Sequence, residues 1–224
     1  GCSHASPWAP PYVLSPETLE RDLRRLQPVF HPRQFWLLGG EPTIHPDLMA
    51  MIRVARNSKI SDEVNLLTNG TRLDRLPEEA WSSINYLRIS AYPDHDPKLL
   101  DIARERSKRH NFGLGIDGVT HFYKQFAPHP DASTFYRCPW KERCWTVHDG
   151  FLYLCPNTAF FPARFMGLPA GTDGLPLDDS LTEPGLKDFL ENRTRPFKTC
   201  TICECFTTQM EWHESKTEED WMKD

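Results

Sequence analysis

An α/β fold built on a parallel sheet, followed by a small cysteine-rich domain, is what this 224-residue sequence predicts, and three observations predict it. Short apolar runs alternate with amphipathic helical stretches over roughly the first half, the rhythm of strands joined by crossover helices. Turn residues end the runs, Gly39-Gly40 and Asn69-Gly70 among them. Later the style changes: prolines crowd in, helical periodicity fades, and six of the seven cysteines fall within 138–205.

The elements follow in order. Ser15-Pro16-Glu17 opens a helix, with a capping serine, proline at its first position, and Leu19, Leu23 and Leu26 at helical spacing. Residues 34–38 (QFWLL) read as a buried strand stopped by Gly39-Gly40. Leu48, Met49, Ile52 and Ala55 make 45–57 an amphipathic helix after Pro46. A strand at 63–67 ends in Thr68-Asn69-Gly70, a short helix spans 77–82, and a strand follows at 86–90. Helix 98–110 and strand 112–116 complete the series, giving a parallel sheet that is either open or rolled into a barrel. Farther on, 145–155 (WTVHDGFLYLC) reads as a hairpin turning at Asp149-Gly150, and 184–192 as a short helix. The domains divide at 1–130 and 131–224, the second ending in an acidic tail.

Composition narrows the function. With 7 Trp and 13 Phe the chain can bury enough apolar surface to fold. Net charge is −5, and 211–224 alone holds six acids against two lysines. No basic field for nucleic acid is present, so no nucleic-acid partner is expected. Neither a membrane-spanning run nor a signal peptide is read, so no membrane association and a cytoplasmic location are expected.

The cysteines carry the chemistry. A disulfide framework needs a secreted context that the sequence does not offer. Cys200-Thr-Ile-Cys203 places two sulfurs within reach of one metal centre, and Cys144 and Cys155 sit at the ends of the hairpin. Four such thiolates suit zinc or an iron–sulfur cluster. Gly39-Gly40-Glu41-Pro42 lies where a buried parallel strand ends, the edge at which such sheets bind ligands. Its glycines let backbone approach a ligand, and Glu41 is an acceptor for an amine.

Together these residues resemble a radical S-adenosylmethionine (radical SAM) enzyme with a twitch or SPASM-type auxiliary domain. That family holds a [4Fe–4S] cluster on Cys-x3-Cys-x2-Cys after its first strand. Cys2 matches the third of those cysteines, and the other two would lie upstream of Gly1 with the first strand. Gly39, Gly40, Glu41 and Pro42 match the GGE motif that contacts the methionyl amine. Asn69 and Ser90 end the next strands, where the family places ribose and carboxylate contacts. Cys144-x5-Gly150-x4-Cys155 resembles the auxiliary hairpin, and Cys200-x2-Cys203 its downstream pair.

The resemblance implies a partial (β/α)5–6 TIM-like barrel followed by a twitch/SPASM-like domain. It implies two [4Fe–4S] clusters, one catalytic and one auxiliary, together with S-adenosylmethionine. Cys155, Cys200 and Cys203 lead the auxiliary ligands, then Cys144, with Cys138 as the alternative. At least one of Cys138 and Cys205 is left over and could donate a hydrogen atom to a substrate radical; a buried bystander thiol is the simpler reading. Trp140 and Trp145 are expected to shield the auxiliary cluster. His4 and His148 are weaker candidates for proton transfer.

A 5′-deoxyadenosyl radical would abstract hydrogen from a small hydroxylated substrate, of sugar, aminocyclitol or nucleoside type. The outcome is dehydrogenation or epimerisation in natural-product biosynthesis, with flavodoxin or ferredoxin as electron donor. A peptide-modifying maturase is the runner-up. A degenerate barrel carrying a structural zinc interaction domain is the reading from another class.

Overall fold

The structure, a computed structural model, describes residues 4–6, 9–127, 132–192, 194–204, 208–214, 217 and 219. It divides into two compact units: Val13–Thr120, and Gly1–Tyr12 with His121–Asp224.

The first unit begins with α1 (Pro16–Leu26). Ser15 caps it by accepting from Thr18 N at 3.2 Å, and Leu19, Leu23 and Leu26 are buried along one stripe. Strands β1 (Gln34–Leu37), β2 (Glu63–Thr68), β3 (Tyr86–Ala91) and β4 (Gly113–Gly118) form one parallel sheet in that order. Between them run α2 (Leu48–Ser58), α3 (Glu78–Ser82) and α4 (Pro97–His110). Left-handed Lys59 and Asn111 close α2 and α4. Val64, Leu66, Leu87 and Ile89 are buried on the helix side. On the opposite face register aligns Trp36, Asn65, Tyr86 and Gly113, with Arg88, Ser90 and Asp117 farther along. Four parallel strands are described where the resemblance implies five or six.

The sheet does not continue past Thr120. β5 (His121–Tyr123) pairs antiparallel with β9 (Gln209–Glu211), so the acidic tail starts inside a strand. This pairing and the burial of Ala5 against Phe161 draw the division at Thr120, not at 130. In the second unit α5 (Thr134–Arg137) precedes the hairpin of β6 (Thr146–His148) and β7 (Phe151–Tyr153). Asp149 and Gly150 both adopt positive φ, +45° and +85°, as a tight two-residue turn requires. β8 (Leu175–Pro176) extends this sheet, and α7 (Glu183–Leu190) follows.

Two helices, α5 and α6, have no counterpart in the sequence reading. α6 (Pro156–Phe165) starts directly after Cys155 and contains Pro162, which reads as a breaker in sequence. Its start is secured where Thr158 Oγ1 donates to Cys155 O at 2.7 Å, and Phe161 is fully buried. No helix among the described residues is long and apolar enough to cross a membrane.

Candidate functional site

At the carboxyl edge of the first unit's sheet, Gly39 and Gly40 are exposed, and a Cβ on either would meet nothing within 4 Å. Glu41 follows, half-buried, and Pro42 begins a short 3-10 turn that Glu41 caps. Glu41 Oε1 accepts from Thr43 N at 2.9 Å, Thr43 Oγ1 at 2.5 Å and Thr68 Oγ1 at 2.6 Å. Glu41 Oε2 accepts from Asn69 N at 2.7 Å. Three donors crowd Oε1 and one reaches Oε2. Glu41 therefore ties the loop after β1 to the end of β2, whereas the sequence presents it as an open acceptor for an amine. Gly39 and Gly40 stand just before it, with open space where a side chain would be.

Asn69 uses Oδ1 to accept from Thr71 N at 2.9 Å, which holds the turn after β2. Ser90 is half-buried, opposite Asp117 in the β3–β4 register. Arg88 donates to Asp117 on the same face. Asn65 lies between Trp36 and Tyr86, whose rings meet edge to face at 5.8 Å. It is fully buried, and neither atom of its carboxamide has a hydrogen-bond partner.

The second unit gathers four thiols. Cys138, Cys155, Cys200 and Cys203 line one cavity, partly open to solvent, with Phe135, Leu154 and Phe197 as apolar walls. No disulfide joins any two of the described cysteines. Among the described residues no three His, Cys, Asp or Glu side chains converge closely enough to hold a single metal ion. The thiols border a space instead. Burial pushes the thiols of Cys155 and Cys200 up, that of Cys200 to about 12, and neighbouring Cys203 and Cys138 push both further.

Buried Asp173 fixes the turn bearing Cys200, accepting from Lys198 N at 3.1 Å and Thr199 N at 2.8 Å. Thr134 Oγ1 donates to Cys200 O at 3.2 Å.

Cys144 does not line this cavity; Cys138 does. Pairing in the hairpin reaches only Thr146↔Tyr153, and Cys144 instead turns back, its N–H donating to Trp140 O at 3.0 Å. Burial, then the Cys138 thiol, raises the pKa of Cys144. Trp140 and Trp145, expected as shields, are 36% and 39% exposed and line no wall of it. The two histidines considered for proton transfer, His4 and His148, both lie against Phe160, at 5.1 and 4.8 Å. Cys2 and Cys205 lie outside the described residues. Lys141, Asn157 and Asp173 do not stand out in the sequence. Lys141 and Asn157 stand three and two residues after cavity cysteines, a proximity that could have flagged them, whereas Asp173 has no local signal.

Loops at the carboxyl ends of parallel strands are where α/β enzymes hold ligands, and this edge is open at two glycines. Comparison with known proteins gives the class a name. The chain matches the radical SAM superfamily over residues 1–124, more than half its length, and belongs to it. Membership implies an enzyme of radical chemistry that uses a [4Fe–4S] cluster and S-adenosylmethionine.

The chain is also similar to GTP 3',8-cyclase of Microcystis aeruginosa (strain NIES-843 / IAM M-2473), 32% identical over 117 residues. That match covers 48% of this chain and 35% of the relative, so the chain spans about a third of the relative's length.

Proposed function

We propose that this radical SAM enzyme carries one auxiliary [4Fe–4S] cluster and acts on a small hydroxylated molecule, of sugar, aminocyclitol or nucleoside type, by dehydrogenation or epimerisation. The observation that carries the auxiliary centre is the convergence of Cys138, Cys155, Cys200 and Cys203 on one cavity. Four thiols bordering a space suit a polynuclear centre, and Phe135, Leu154 and Phe197 supply an apolar surround. In this reading Cys138 takes the place that spacing gives to Cys144, which becomes the spare thiol among the described residues.

At the sheet edge, the carbonyls of Gly39 and Gly40 receive the methionyl amine, and Pro42 sets the turn that presents them. Glu41 holds that turn against β2. Asn69 and Ser90 serve the ribose and carboxylate, and Cys2 is a ligand of the catalytic cluster. When bound, that cluster and S-adenosylmethionine supply the hydrogen-abstracting chemistry. The face bearing Arg88, Ser90, Asp117 and the unpartnered carboxamide of Asn65 supports a hydroxyl-bearing substrate. A flavodoxin or ferredoxin type of protein is the proposed electron donor.

The test is iron, sulfide and zinc content after anaerobic reconstitution, on this chain and on one extended upstream through the other two motif cysteines. About 4 Fe for the first and about 8 for the second are expected, at four per cluster. Zinc without iron in both would overturn the reading.

A further inference from the structure

Among the described residues, Lys141 is the one Lys, Arg, Asp or Glu side chain lining the cysteine cavity. It is 8% exposed, and no carboxylate among the described residues pairs with it. Its ammonium has three N–H groups. One donates to Phe135 O at 2.9 Å, and the group stands 4.1 Å from the centroid of the Phe135 ring. Both contacts are favourable, yet neither supplies a negative charge, and burying a cation without one is costly. The other groups of that wall able to become anionic are the four thiols. A centre of four thiolates with net negative charge would meet the need.

Asn157 acts from the same wall. It is 2% exposed, and its Nδ2 donates to Cys203 Sγ and to Gln125 Oε1, each at 3.3 Å. Positive charge near an iron–sulfur centre and N–H···S bonds to its ligands both stabilise the more negative, reduced state.

Resting on the auxiliary-cluster reading, we infer that Lys141 is the built-in counter-cation of the four-cysteine centre, and that with Asn157 it holds that centre's reduction potential high. Lys141 is a positioning residue of charge; it touches no substrate. Its contact with Phe135 O also closes the last turn of α5, so a purely structural role would change stability but leave the potential alone.

The experiment is an EPR-monitored redox titration of the anaerobically reconstituted chain with Lys141→Met, Lys141→Arg and Asn157→Leu. Lys141→Met should lower the equilibrium constant for one-electron reduction at least about tenfold, a fall of about 59 mV. Lys141→Arg should stay within about threefold of wild type, and Asn157→Leu should fall about threefold in the same direction. Loss of the cluster in Lys141→Met but not in Lys141→Arg supports the same role for the charge, exerted during assembly. A Lys141→Met centre with wild-type potential overturns the inference and leaves the cluster standing. So does loss of the cluster from both lysine variants. Wild-type chain that assembles no iron–sulfur centre overturns the cluster reading itself, and the inference with it.

Discussion

At the sheet edge of Val13–Thr120 the carboxylate of Glu41 is satisfied by the protein itself, its four donors coming from Thr43, Thr68 and Asn69. In the cysteine cavity the reverse holds: a buried ammonium faces four thiols and no carboxylate. The first site is a finished scaffold that presents main chain to a ligand. In the proposed reading, the second is complete only when its thiols become the thiolate ligands of a bound centre. If a centre binds there, folding and loading are separate events at the first site and coupled events at the second.

The largest expected effect breaks the comparison at the cavity. Cys155→Ser and Cys200→Ser should each remove most of the reconstituted iron and of the absorbance near 400 nm, while Cys144→Ser keeps both. Iron lost from Cys144→Ser but retained in Cys138→Ser would return the ligand set to the order read from sequence.

Glu41→Ala tests the other side. It strips a charged acceptor from Thr68 Oγ1 and Asn69 N at once, so the metal-free chain should lose about 3 kcal/mol in urea unfolding. If stability is unchanged and only binding of S-adenosylmethionine falls, Glu41 is a ligand-facing acceptor after all.

A third, smaller change probes how tightly the scaffold is built. The Tyr86 ring lies across β4, where a Cβ on Gly115 would stand 2.5 Å from Tyr86 Oη. Gly115→Ala should cost about 1–3 kcal/mol, and adding Tyr86→Leu should recover part of it in a double-mutant cycle.

The smallest effect separates the units by pH. The folded thiol of Cys200 sits near 12, above its ordinary 9.0, and that of Cys155 is raised as well. Between those values the folded state holds more protons than the unfolded state, so stability falls as pH rises from about 9 towards about 12. The metal-free reduced chain should lose about 1 kcal/mol per thiol by pH 10, measured as urea midpoints. Val13–Thr120 contains no cysteine, so its transition should not share this dependence.

What sequence made legible is local. Ser15 with Pro16 marks a helix start, and Asp149-Gly150 a turn, because capping and positive φ are decided within a few residues. The four parallel strands were readable for a similar reason, since each buried run joins its neighbour in order. The choice of Cys138 over Cys144 was not, because it depends on where the chain turns at Trp140, not on spacing. Nor was the fate of Glu41: three of its four donors lie at Thr43 or beyond a helix at Thr68, and nothing in Gly-Gly-Glu-Pro announces them. α6 was hidden by Pro162 and β9 by its acidic surroundings, both overruled by tertiary contacts.

The pairing of β5 with β9 closes a loop of about eighty-five residues, whereas each strand of the parallel sheet meets the one made just before it. Synthesis runs in one direction, so the sheet can assemble while the ribosome is still working. The second unit waits for Gln209–Glu211 to emerge, and Cys200 and Cys203 reach the solvent shortly before. Until that clasp is made, the thiols of the second unit belong to a chain that has not yet closed.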